Sequence, residues 1–99
     1  MKLAICTIFD NKTGAYLQPF FTANVAVAER AISDLVVDPD HQFSKNPEDY
    51  VLFDLGQFDD ETGLFDMHDA PRTIATLPAI KAAKTLRQNA SILEEVAHG

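Results

Sequence analysis

One frame occurs twice in this chain and limits its fold more than any other feature. Residues 8–16 read IFDNKTGAY and residues 57–65 read QFDDETGLF, each containing a Phe-Asp-x-x-Thr-Gly-x-aromatic run. An aspartate that opens a polar stretch and a glycine that closes it suit a type I turn whose last residue enters the left-handed region and forms a bulge, which glycine does at least cost. The apolar residues on either side then pair as antiparallel strands, with the flanking aromatics across from one another or packed beneath the turn. Both runs are therefore predicted to be hairpin tips. On this reading Asp59, Asp60 and Glu61 are acidic because a tip projects into water. A calcium loop would need oxygen ligands at its first, third, fifth and twelfth positions around a central glycine, and that spacing is missing.

The rest of the chain fits around two hairpins. Residues 2–9, KLAICTIF, are apolar and β-branched without helical spacing, which predicts a strand buried on both faces or nearly so. Residues 15–21, AYLQPFF, are its partner, but Pro19 cannot donate to a ladder, so this strand belongs at an edge or ends there. Asn24 is a fitting N-cap for an amphipathic helix in which Val25, Ala28, Ile32, Leu35 and Val36 share a face, with Glu29, Arg30, Ser33 and Asp34 opposite. That helix must stop near Val37, because Pro39 disfavours helical geometry at Asp38. Residues 38–49, DPDHQFSKNPED, are rich in turn formers and predict an ordered loop or irregular excursion. The second hairpin runs from YVLFDLGQF, residues 50–58, to LFDMH, residues 64–68. Beyond Pro71 the chain is expected to be extended until Pro78, a residue that suits the first turn of a helix. From there Ala79, Ala83, Leu86, Ala90, Leu93 and Ala97 recur at steps of four and three, widened by Ile80, Ile92 and Val96, and predict a second amphipathic helix of about five turns.

The order hairpin, helix, hairpin, helix is an α+β arrangement, ββαββα. It predicts a four-stranded, mainly antiparallel sheet with the helices packed on one face and a faint internal pseudo-twofold. With 99 residues and 46% hydrophobic content the chain can build one modest core. Residues 1–75 are expected to form that core, and residues 76–99 a C-terminal helix packing on it or on a second chain. A sheet this small with one covered face also leaves room for a homodimer, through the other face or the tail helix. Cys6 has no partner in the chain and lies in an apolar run, which fits a small buried thiol in a reducing cytoplasm. Met1-Lys2 leads into an apolar stretch that ends at Asp10, too short for a signal peptide or a membrane span, so no membrane association is expected.

Charge is distributed unevenly. The formal charge of -7 is concentrated in residues 38–69, which hold one basic and ten acidic residues, while residues 70–99 hold four basic and two acidic ones. An acidic middle repels phosphates and keeps the chain dispersed, whereas a basic tail can meet an acidic surface. Within the tail helix Lys81, Lys84 and Arg87 crowd the N-terminal half and Glu94 and Glu95 the C-terminal end. This opposes the helix macrodipole, at a cost of roughly 0.3–1 kcal/mol per well-placed charge. An offsetting partner is expected: the acidic middle of the same chain, that of a second chain, or an anionic ligand.

The residues offer little catalytic chemistry. His41, His68 and His98 lack second ligands at metal spacing, so no metal is expected, and no cofactor motif or nucleophile elbow is present. Ser33, Ser44 and Ser91 have no base beside them in sequence. Among fifteen acids some close pairs are inevitable; Asp54 is the most informative, since Phe53 and Leu55 flank it, and it is expected across from Asp66. An enzyme would need a concave pocket around Asp54 lined by further polar groups. For nucleic acid, Tyr16, Phe20, Phe21, Tyr50 and Phe58 are the candidate stacking residues and Arg72, Lys81, Lys84 and Arg87 the one basic stripe. So few phosphate contacts predict weak, salt-sensitive affinity.

The stretch SKNPEDYVLFDLGQFDDETGLFDMHDAPR, residues 44–72, together with PFF at 19–21 and Asp38-Pro39, resembles the small nonstructural protein of gokushoviruses and related microviruses, single-stranded DNA phages. The resemblance covers roughly residues 1–75 and rests on the LGxFDDxTGxF core with the upstream SKxPEDYxLF. It implies a noncatalytic protein of the host bacterial cytoplasm that regulates viral DNA replication in the switch to single-strand synthesis and genome packaging, and a DNA-binding role. No catalytic residue is carried over. The acidic composition points instead to protein contacts, with the phage replication initiator or a host replication protein as partner and Asp59, Asp60 and Glu61 as the acidic face that meets it. Direct binding of single-stranded DNA by the sheet aromatics and the basic tail is the alternative, and a component of the virion is a further one.

Overall fold

The computed structural model describes the backbone of residues 1–98 and the side chains of residues 1–91. Side chains expected on the tail helix from Ile92 onward, those of Leu93, Glu94, Glu95, Val96, Ala97 and His98 included, lie outside the described residues. The chain runs through β1 (Lys2–Asp10), β2 (Ala15–Tyr16), β3 (Phe20–Thr22), α1 (Val25–Val36), α2 (Gln42–Lys45), a single 3-10 turn (Pro47–Asp49), β4 (Tyr50–Asp59), β5 (Phe65–Thr76) and α3 (Leu77–His98). The α+β reading holds: one curled antiparallel sheet has the order β2-β1-β4-β5, with β3 also paired to β1.

Both hairpin tips form as the repeat predicts, and with the same geometry. The Gly14 N–H donates to the Asp10 carbonyl and the Gly63 N–H to the Asp59 carbonyl, each at 2.8 Å. Each opening aspartate also accepts at its carboxylate from the backbone two residues on, Lys12 N–H to Asp10 and Glu61 N–H to Asp59, both at 2.9 Å. The closing glycines have φ of 72° and 75°. Across the tips the aromatics meet as expected, Phe9 with Tyr16 at 4.8 Å between ring centroids and Phe58 with Phe65 at 5.0 Å. Because β1 and β4 are antiparallel neighbours, pairing Lys2 with Asp59 and Asp10 with Tyr50, the two tips stand at opposite ends of the sheet.

The second strand is not continuous. It splits into β2 and β3 around Pro19, whose missing N–H interrupts the ladder. In the gap the Leu17 N–H still reaches the Ile8 carbonyl at 2.8 Å, and the Thr7 hydroxyl donates to the Leu17 carbonyl at 2.7 Å. The last strand begins one residue later than expected and is longer: residues 65–68 and the extended stretch after them form one strand, β5, with irregularities opposite Leu52–Phe53 and between Asp54 and Gly56. Residues 68–71, which include Pro71, bulge out opposite Leu55. The loop at 38–49 also contains regular pieces, α2 and the 3-10 turn. Here the His41 Nδ1 caps α2 by accepting from the Phe43 N–H at 3.0 Å.

The core lies between the sheet and the helices. Ala4, Cys6 and Ile8 of β1 and Tyr50 and Leu52 of β4 pack under Ala28, Ile32 and Val36 of α1, Phe43 of α2, and Leu77 and Ile80 of α3. α1 forms as predicted: the Asn24 side chain accepts from the Val27 N–H at 3.0 Å, and Val37 closes the helix. Ser33, expected on its polar face, is buried with its hydroxyl donating to the Arg30 carbonyl. For α3 the expected stripe meets the core only at Ile80 among the described residues. Ala79, Ala83, Leu86 and Ala90 are exposed, and the buried positions are Leu77 and Ile80. The helix follows β5 without a loop, and the Thr76 hydroxyl accepts from the Ala79 N–H at 3.3 Å, so its first turn is pinned where the strand ends. From Thr85 to Ser91 every residue is exposed, and this part of the helix stands off the body.

Candidate functional site

The covered and uncovered faces of the sheet differ sharply in chemistry. Cross-strand partners share a face, so the ladders assign each residue to a side. On the helix side lie Lys2, Ala4, Cys6, Ile8 and Asp10 with their partners Asp59, Gln57, Asp54, Leu52 and Tyr50. Asp66 pairs with Gln57 and Arg72 with Asp54, so both join that side. On the open side lie Leu3, Ile5, Thr7 and Phe9, with Phe58, Gly56, Phe53 and Val51 across on β4. Tyr16 and Phe21 extend this side at one edge and Phe65, Met67 and Thr73 at the other. Among the described residues, every charged strand residue that has a ladder partner falls on the helix side.

Two aromatic groups occupy the ends of the open face. Phe9, Tyr16 and Phe53 meet edge-on or tilted, with centroids 4.8, 5.7 and 6.5 Å apart. At the other end Phe58 lies 5.9 Å from Phe21 and 5.0 Å from Phe65. These separations suit favourable aromatic pairing. Of the five candidate stacking residues, Tyr16, Phe21 and Phe58 belong to this face. Tyr50 and Phe20 instead serve the core, Tyr50 buried within it and Phe20 packed against it.

The basic stripe lies elsewhere. Lys81 donates to the Ser44 carbonyl at 2.9 Å, and Lys84 forms an ion pair with Asp34 at 3.1 Å. Arg87 lines the groove between α1 and α3 together with Glu29, Arg30, Ser33 and Asp34. The lysines that oppose the helix macrodipole thus find their partners at Asp34 of α1 and at the Ser44 carbonyl of α2, which lies in the acidic middle but is not one of its acids. Arg72 is exposed on β5, on the helix side and apart from the aromatic groups.

The acidic tip is tied to the start of the chain. The Met1 amino group donates to Asp60 at 2.8 Å and to Glu61 at 3.4 Å, and the Asp60 N–H donates to the Met1 carbonyl at 3.1 Å. The hydrogen bond to Asp60 raises the pKa of this amino group above its usual value. The Glu61 N–H, donating to the Asp59 carboxylate, holds that carboxyl below its usual range. Asp59 is therefore committed to the turn, while the carboxylates of Asp60 and Glu61 point outward.

Asp54 does not pair with Asp66, as the sequence suggested. The bulge at residues 68–71 shifts the register, and His68 comes to Asp54 instead, its Nε2 3.1 Å from the Asp54 Oδ2. That nitrogen is buried, off the line of a hydrogen bond to the carboxylate and without another partner among the described residues. The pair opens onto a cleft of about 250 Å³ lined also by Lys2, Asn24 and Gln57. A carboxylate and an imidazole can hold and pass a proton. No serine, threonine or cysteine lines the cleft for them to activate. Neither His68 nor the cleft could be anticipated from sequence, because a bulge places the histidine. Among the described residues no three His, Cys, Asp or Glu side chains are grouped as metal ligands, and no helix is long and apolar enough to cross a membrane.

A family model described as Phage ORF5 protein matches residues 3–80, which takes in the sheet from its second residue onward, α1, α2 and the first turn of α3. No curated protein and no solved structure matches the chain.

Proposed function

The chain belongs to the Phage ORF5 protein family, and from that premise we propose that it is a noncatalytic regulator of viral DNA replication, acting through protein contacts in the switch to single-strand synthesis and genome packaging. The phage is a gokushovirus or a related microvirus, as the run at residues 44–72 suggests. The partner is the phage replication initiator or a host replication protein, met in the host bacterial cytoplasm.

One observation carries the preference for protein over DNA: the aromatic groups and the basic residues occupy opposite sides of the sheet, and Lys81 and Lys84 are bonded within the chain. A single-strand groove needs stacking rings and cations along one path. What the tip presents is acidic: Asp60 and Glu61 share the single Met1 amino group and are 45% and 81% exposed, so the cluster keeps a net negative charge at the surface. A pull-down at moderate salt against the phage initiator and host replication proteins tests this reading. The wild-type chain retains a partner, and the Asp60→Asn/Glu61→Gln variant, which spares the turn aspartate Asp59, releases it. Retention of nothing by the wild type, or equal retention by both, overturns the proposal.

A second reading has one observation in its favour, the open aromatic face itself, on which Tyr16 and Phe21 are each about half exposed at 48% and 50%. In this reading unpaired bases of single-stranded DNA stack there, with Arg72, Lys81, Lys84 and Arg87 as the cations that meet the phosphates. Fluorescence anisotropy with a labelled oligonucleotide at two salt concentrations decides it, and no binding at the lower salt ends it.

A further inference from the structure

We infer that the open face of the sheet is the interface of a homodimer, occupied by the same face of a second copy of this chain. The inference stands apart from the regulatory role proposed above, because it concerns a face that carries none of the acidic tip residues.

The first argument is area. Tyr16, Phe21, Phe65 and Met67 are 48%, 50%, 61% and 48% exposed, although three of them take part in aromatic pairs. An aromatic side chain presents roughly 150–250 Å². These four with the partly exposed Phe9 and Phe53 therefore leave on the order of 600 Å² of apolar surface, in two groups on either side of the buried Ile5 and Thr7. A standard interface buries about 800 Å² per partner, a value reached once the polar rim of such a patch is included.

The second argument is charge. Each chain is at -7, yet every charged strand residue with a ladder partner lies on the helix side. The ladder-paired residues of the face offer no charge for an acidic or basic partner to recognise, and none that a second copy would repel at close contact. The middle of the face carries only hydroxyls as polar side chains, and that of Thr7 is already satisfied by the Leu17 carbonyl.

The third argument is self-complementarity. A twofold interface must match itself, residue i meeting j while j meets i. Aromatic groups built on the same turn motif stand at both ends of this face, so a second copy turned end for end still brings rings against rings. Two sheets stacked about 10 Å apart would then be enclosed by helices on both outer sides.

The test is solution mass by sedimentation equilibrium or light scattering, for the wild type and for Phe65→Asp and Met67→Asp. Both sites are exposed in the single chain, so the variants keep the wild-type far-ultraviolet circular dichroism. The wild type is expected at twice its 10.9 kDa chain mass. Each variant places two buried carboxylates in the dimer and is expected to weaken it by about a hundredfold or more. A third variant, Leu86→Asp on the exposed part of α3, is expected to remain dimeric. A monomeric wild type at tens of micromolar overturns the inference. So does a dimer that survives Phe65→Asp but not Leu86→Asp, which would place the contact on the tail helix. A monomer whose binding to an oligonucleotide is abolished by Phe65→Asp overturns it as well, assigning the face to bases.

Discussion

Gly56 is the residue whose replacement the structure tolerates least. It sits in β4 at a φ of 146°, and a Cβ built there would run into the Asp66 carbonyl oxygen and lie 2.7 Å from the Met67 Cα. Both obstacles are backbone, so β5 itself would have to move. Gly63 has a φ of 75° but open space around its Cβ position. Gly56→Ala is therefore expected to destabilise by about 3 kcal/mol or more, from strain and clash together. Gly63→Ala should cost only about 1–2 kcal/mol, the left-handed penalty alone. Urea denaturation of the two variants checks the order. At Cys6 burial, and secondarily the nearby Asp54 charge, pushes the thiol from its ordinary 9.0 up to about 11. A raised folded-state pKa means that the stabilisation is complete below pH 9 and is lost as pH rises towards 11. The stability of the wild type should fall across that window more steeply than that of Cys6→Ala, as chemical denaturation at several pH values would show. The neutral thiol should also resist alkylation at pH 8 until the chain unfolds.

Among the elements, those decided by local chemistry were readable in the sequence and those decided by register were not. The two tips follow from an aspartate, a glycine and a pair of rings within one short segment each, and α1 follows from Asn24, a regular stripe and Pro39. The division of the second strand was half visible, since Pro19 announces a ladder that cannot continue but not that β3 resumes beyond it. By contrast, the pairing of Asp54 with Arg72 and the approach of His68 depend on how many residues β5 bulges opposite Leu55, a count that no local pattern carries. The stripe on α3 is met only at Ile80 among the described residues, for a different reason. An alanine-rich helix offers two apolar stripes of similar quality, and the junction with β5 selects Leu77 and Ile80 by pinning the first turn to the core. Ile80→Ala is accordingly expected to cost about 2–4 kcal/mol, whereas Leu86→Gln, at a position 69% exposed, should change stability by less than about 0.5 kcal/mol. Thermal unfolding of both variants distinguishes this burial from the full stripe expected by periodicity, for which Leu86 would show a loss comparable to that of Ile80.

Taken whole, the molecule is thin and long for its size. Its extents are 52 × 33 × 21 Å and its radius of gyration is 15.7 Å, against about 13 Å for a compact domain of 100 residues. The smallest extent is about what one helix layer on one sheet layer requires, so among the described residues no second layer of elements backs the open face, although Ile5 and Thr7 at its middle are buried. This thinness joins the charge pattern into one expectation about salt. Two copies at -7 repel each other through solvent, and raising ionic strength from about 50 mM to about 500 mM screens that repulsion while leaving an uncharged apolar contact intact. Self-association should therefore tighten with salt. Binding to a nucleic acid runs the other way, because counterions released from phosphates make affinity fall as salt rises. Contact between an acidic tip and a basic partner protein also weakens with salt. Sedimentation equilibrium at the two ionic strengths reads the sign directly: a dimer fraction that grows supports an uncharged sheet-to-sheet contact, and one that shrinks means that charged groups hold the two copies together and that the open face is not the interface.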